Sequence, residues 1–263
     1  MIMEGILKNW NKFLSEGISQ EGLPDLKYYA FDWDDNILEM PTKILFDDAD
    51  GNLVEMATDE FAIKRSKLDE LGLKYRPDSF INFRTEGDAQ FEEDALNTET
   101  KAGPVWNMFV ECINTASIFA IITARGHNPS TLRNSVAKMI EQGYAPSGGQ
   151  KIDKDLFLQS LNKFSELMKQ PIEGDPIQYY LKFCEFHPVS WEDKSLPARP
   201  DKTAASPEQA KVEALSGFIN KAKSLAKGLR NRRSLRGALR GKPLQIIFTD
   251  DDKKKSSFKI SCF

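Results

Sequence analysis

Two apolar stretches of this chain end in clustered carboxylates. Residues 28–38 read YYAFDWDDNIL, and residues 244–252 read LQIIFTDDD. Asp32 and Asp34 stand two apart, so an extended backbone points both side chains the same way. Like charges repel: at about 4 Å and an effective dielectric near 20, one such pair costs roughly 4 kcal/mol. Either the acids splay into water or a cation sits among them. Carboxylates gathered without histidine or cysteine suit a hard, oxygen-loving ion such as Mg²⁺. Asp32, Asp34, Asp250 and Asp251 are therefore candidate metal-site residues, while Asp35 and Asp252 read as structural or solvated.

Such a site needs strands to carry it. Buried strands are expected at 27–32 (KYYAFD), within 117–126 (SIFAIITARG) and at 244–248 (LQIIF). Between them, Thr58 is expected to cap a helix running to about Leu71, with Gly72 as its stop. Further helices are expected over about 104–114, 129–142, 153–169, 176–184 and 210–239, the second of these ended by Gly143. Residues 43–56 read as a hairpin turned by Asp50-Gly51-Asn52, and residues 80–101 as acidic and irregular. FHPVSW suggests a short strand, 195–208 a linker, and SFKISCF a final edge strand. Apolar strands alternating with helices imply an α/β fold with a mainly parallel sheet. In such sheets ligands bind beyond the carboxyl ends of the strands, where both acidic clusters fall.

Composition narrows the classes. The 263 residues are 40% hydrophobic and 29% charged, as expected of a globular chain with a sizeable core. Cys112, Cys184 and Cys262 are far apart and form no CxxC, which suits a reducing, cytoplasmic setting. Two histidines, His127 and His187, argue against a histidine-rich zinc site. No apolar run reaches the roughly 18 residues of a membrane span. Ile6, Leu7, Trp10, Phe13 and Leu14 recur at helical spacing, so a short amphipathic helix docked on the body is expected there, not a membrane anchor.

The acidic motifs now carry a resemblance. YYAFDWDDNIL resembles the first motif of the haloacid dehalogenase (HAD) superfamily: apolar residues, Asp-x-Asp, a small residue, then apolar residues. IFAIITARG is similar to its second motif, with Thr123 as the hydroxyl residue. SPEQAKVEAL resembles the region of its third, with Lys211 as the basic residue and Lys202 as a rival. IIFTDDD resembles its fourth, and all four follow the family's order across residues 28–252. Asn36 stands where the family usually has Thr.

The resemblance implies a Rossmann-like HAD core of residues 1–45, 105–145 and 201–263. Cap insertions, helical or mixed, would occupy 46–104 and, with a linker, 146–200. It implies Mg²⁺-dependent phosphomonoester hydrolysis through an aspartyl-phosphate. Asp32 would be the nucleophile and Asp34 the acid and base. Thr123 and Lys211 would hold phosphoryl oxygens. Asp32, Asp250, Asp251 and the backbone carbonyl of Asp34 would hold the metal. Arg125 and His127 follow the second motif, but a loop histidine is more often plain surface, so both stay outside the catalytic set.

A small phosphorylated substrate is the expected partner. Residues 220–242 carry nine lysines and arginines, from Lys221 to Lys242, and no acid. Nucleic acid would suit that stripe and make a polynucleotide-end phosphatase the alternative. The plainer reading is a solvated helix face, since no aromatic residue accompanies it. A HAD-like binding protein without chemistry is the other alternative, and transfer to an acceptor other than water stays open.

Overall fold

The computed structural model describes residues 26–168, 170–192, 206–231, 244–249 and 258–262. Its central strand, β1 (Leu26–Phe31), buries Tyr28, Tyr29, Ala30 and Phe31 on both faces. A strand apolar on both sides suits the interior of a parallel sheet covered by helices. β1 pairs in parallel with β7 (Ile118–Thr123) on one side and with β9 (Leu244–Thr249) on the other. β8 (Glu185–Pro188) extends the sheet beyond β7, also in parallel. β10 (Phe258–Cys262) closes the other edge, antiparallel to β9. The order is β10-β9-β1-β7-β8. The chain moves from β1 to β7 and β8 on one side, then returns to β9 on the other. The junction of β1 and β9 is thus a topological switch point, where the carboxyl ends of strands leave a crevice.

Helices cover both faces. On one lie α2 (Asp88–Leu96), α3 (Trp106–Asn114), α4 (Pro129–Gln142), α5 (Lys154–Met168) and α6 (Pro176–Leu181). They enclose the larger core around Phe31, Trp33, Trp106, Phe109, Phe119 and Tyr180. On the other lies α7 (Pro207–Asn231), which packs Phe218, Ala222 and Ala226 against Tyr28, Ala30, Ala120, Ile122 and Ile246 of the sheet. α4 starts on Asn128, whose side chain accepts the Ser130 N–H, and ends on Gly143 at φ 58°, a left-handed cap that favours glycine.

Between β1 and α3 the chain builds a smaller unit. β3 (Lys43–Asp47) pairs antiparallel with β4 (Leu53–Ala57) and with β5 (Lys74–Tyr75). With α1 (Thr58–Lys64) nearby, Ile44, Phe46, Met56 and Leu68 form a separate small core. Two short strands, β2 (Leu38–Glu39) and β6 (Lys101–Ala102), pair where the chain leaves and re-enters the main body.

Three expectations change. Residues 80–101 are not irregular throughout, because α2 occupies Asp88–Leu96 and buries Phe91 and Ala95. Two buried apolar residues in nine leave little periodic signal to read. Thr58 does not cap its helix: Ala57 holds that position, and the helix ends at Lys64, short of the expected Leu71. The described part of 146–200 is no lid, since α5 and α6 join the main core and β8 joins the main sheet. The amphipathic stretch near the N-terminus lies outside the described residues. Among the described residues, no helix is long and apolar enough to cross a membrane.

Gly103 lets the chain pass against the loop after β1. Its N–H donates to the Ile37 carbonyl at 2.9 Å, and a Cβ there would sit 2.2 Å from the Asn36 carbonyl oxygen. Gly103→Ala should lower unfolding stability by about 1–3 kcal/mol, the usual cost of overpacking. A wild-type midpoint in chemical denaturation would show that this approach is not tight.

Candidate active site

The site begins where β1 ends. The Asp32 N–H donates to the Thr249 carbonyl at 3.1 Å, locking the end of β1 to the end of β9. Asn36 strengthens the same junction from a buried position. Its Nδ2 donates to the Thr249 carbonyl at 3.1 Å and to Thr249 Oγ1 at 3.0 Å. Asn36 therefore braces the loop, a task for an amide with two N–H donors. Asp35 takes a left-handed conformation at φ 53°, which turns the chain back toward Leu38. Burial pushes its carboxyl up to about 6, with Asp34, Asp59 and Glu39 adding to the rise and the Thr58 hydrogen bond opposing it.

Alternation along the backbone separates the side chains. Trp33 turns into the larger core, its ring 5.1 Å from that of Phe91. Asp32 is 5% exposed. Its Oδ1 accepts the Trp33 N–H at 2.8 Å, and its Oδ2 meets Lys211 Nζ of α7 at 2.5 Å. The structure thus brings Lys211 to the candidate nucleophile across 179 residues of sequence. Lys202, Asp250 and Asp251 lie outside the described residues. Thr123 ends β7 fully buried, and its Oγ1 accepts the Arg125 N–H at 3.4 Å.

Asp34 is held by a residue that sequence reasoning left aside. Arg125 Nε donates to both carboxylate oxygens, at 3.0 and 2.8 Å, and Nη2 donates to Oδ1 at 2.6 Å. The Arg125 side chain is 1% exposed and that of Asp34 18%. Arg125 Nη2 also donates to Thr42 Oγ1 at 3.0 Å, and its guanidinium lies over the Phe83 and Phe91 rings at 4.7 and 4.9 Å. Nη1 meets His127 Nε2 at 3.0 Å, and His127 Nδ1 meets Asp88 Oδ1 at 2.8 Å. His127 is fully buried, against the expectation of a surface loop residue. The sequence signal was present but weak: two polar residues directly after a strand that ends in the site.

Burial holds the His127 pKa below its ordinary value; the Arg125 charge adds to this, and Asp88 opposes it. Beyond the ends of β7 and β8 lies a cleft of about 150 Å³ lined by Arg84, Thr85, Glu86, Gly126, Ser190 and Glu192. Of the basic stretch 220–242, the part beyond residue 231 lies outside the described residues. Within it, Lys221 meets Glu185 Oε1 at 2.8 Å and donates to the Phe183 carbonyl at 3.1 Å. No family model, curated protein or solved structure matches the chain.

The Glu185 contact anchors α7, the helix that carries Lys211. A hydrogen bond with His187, then Lys221, lowers the Glu185 carboxyl from 4.5 to about 2. A folded pKa below the unfolded one stabilises above the unfolded pKa and is lost as pH falls through the folded value. Glu185 should therefore stabilise the fold above about pH 4.5 and lose that contribution toward pH 2. Glu185→Gln should cost roughly 1 kcal/mol at pH 7, limited by solvent screening, and nothing near pH 2. Denaturation midpoints for both proteins across that range check it; an equal loss at every pH would count against the ion pair.

Proposed function

We propose that this protein is a Mg²⁺-dependent phosphomonoester hydrolase of the HAD type. One observation carries the reading: Asp32 lies at the switch point of the parallel sheet with Lys211 Nζ 2.5 Å from its Oδ2. Asp34 follows two residues later with its carboxylate held in place. A nucleophile, a cation for the phosphoryl group and a second acid stand where an α/β sheet binds ligands.

The residues suit a two-step reaction. An Asp32 oxygen attacks phosphorus, the bond to the leaving oxygen breaks, and Asp34, having taken up a proton from solvent before this step, gives it to that oxygen. Lys211 then has a phosphoryl oxygen to bind as charge shifts away from the Asp32 carboxylate. Water next attacks the aspartyl-phosphate, Asp34 takes its proton, and inorganic phosphate departs, regenerating the Asp32 carboxylate. The donor set fits Mg²⁺: the Asp32 carboxylate, the Asp34 carbonyl, Asp250 and Asp251 are all oxygen ligands. β9 ends at Thr249 beside Asp32, one residue short of Asp250 in the sequence. When bound, the ion would offset the repulsion between the phosphoryl group and the carboxylates.

A panel of sugar phosphates, nucleotides and 3′- and 5′-phosphorylated oligonucleotides tests this reading. Phosphate release should need Mg²⁺, stop with chelator and vanish in Asp32→Asn. Lys211→Met should lower kcat/KM by about 10²–10³, the usual loss for a donor to developing charge. Release by folded Asp32→Asn at the wild-type rate would remove Asp32 as nucleophile. Silence of the wild type on every substrate would favour a binding protein.

A further inference from the structure

The buried chain behind Asp34 has a direction. Arginine can only donate, so His127 Nε2 must accept from Arg125 Nη1. The proton of a neutral imidazole then sits on Nδ1 and is donated to Asp88 Oδ1. Burial and the Arg125 charge both favour that neutral form. Arg125 in turn presents a planar fork to Asp34, making three hydrogen bonds to its two oxygens. A carboxylate offers about four acceptor sites. Oδ1 takes two of these bonds and Oδ2 one, which leaves a site on Oδ2 for a proton.

We propose that Asp88, His127 and Arg125 form a positioning relay that aims Asp34 Oδ2 at the leaving oxygen. This rests on the hydrolase reading above. Asp88 opens α2, and Thr42, Phe83 and Phe91 also grip the guanidinium. All four lie between β1 and α3, so the segment that holds the small sheet also sets the acid. Arg125 and His127 touch no reacting atom in this scheme; they act through Asp34.

Leaving groups of different basicity test the relay. kcat/KM reports steps up to release of the leaving group. An alkyl phosphate needs a proton there, and p-nitrophenyl phosphate needs little. Arg125→Ala should lower kcat/KM by about 10²-fold on the alkyl ester and under tenfold on the aryl ester. Arg125→Lys should resemble it, because an ammonium lacks the fork. Asp88→Ala, with its fold checked by circular dichroism and Asp88→Asn as the conservative companion, should lose roughly tenfold on the alkyl ester and under twofold on the aryl ester. Equal losses on both esters, or none, in the active Asp88→Ala protein would overturn the relay while leaving the hydrolase reading intact. A wild type inactive on both would overturn the hydrolase reading itself, and the relay with it.

Discussion

A guanidinium with almost no contact with water must have its N–H groups answered by protein, because a buried unpaired charge costs several kcal/mol. Arg125 meets that demand with groups from distant parts of the chain: Asp34 after β1, Thr42 before β3, and His127 ahead of α4. Phe83 and Phe91 supply two aromatic faces. Removing one partner of such a buried pair typically costs about 3–5 kcal/mol, so these segments are bound to keep one arrangement. The geometry of the loop after β1 follows from it.

The opposite side of that loop is tied by neutral bonds. Asn36 and the Asp32 N–H both reach Thr249, so the ends of β1 and β9 are tied together. Asp32 thus sits on a rigid strand end, between a braced loop and a helix that delivers Lys211. The ammonium offsets the repulsion that the adjoining acids would otherwise feel, which answers the question their spacing raises. Two cations, Lys211 and Arg125, neutralise Asp32 and Asp34 one each.

The strands were legible because burial on both faces writes continuous apolar runs such as YYAF and IFAIIT. Asp32, Asp34 and Lys211 were legible as types at strand and helix positions. Arg125 and His127 were not, since their importance lies in contacts with Asp34 and Asp88, 91 and 39 residues away. Asn36 was visible as a departure from a motif, but its role as a brace depends on Thr249, 213 residues away. Local pattern records what a residue does for its own element; long-range hydrogen bonding leaves no period to read.

The two cations also differ in what they allow. Lys211 brings a compact ammonium on a four-carbon stem to Asp32, with its side chain 20% exposed, and under the proposed hydrolysis that cation would turn to a phosphoryl oxygen. Arg125 is a planar fork held by Asp34, Thr42, His127 and two aromatic rings, so the Asp34 carboxylate is fixed in place. A reaction in which one carboxylate forms a bond and the other only carries a proton needs that asymmetry. Under the proposed hydrolysis, the ammonium lies beside the carboxylate that would become covalent, and the guanidinium fork beside the one that would keep its aim.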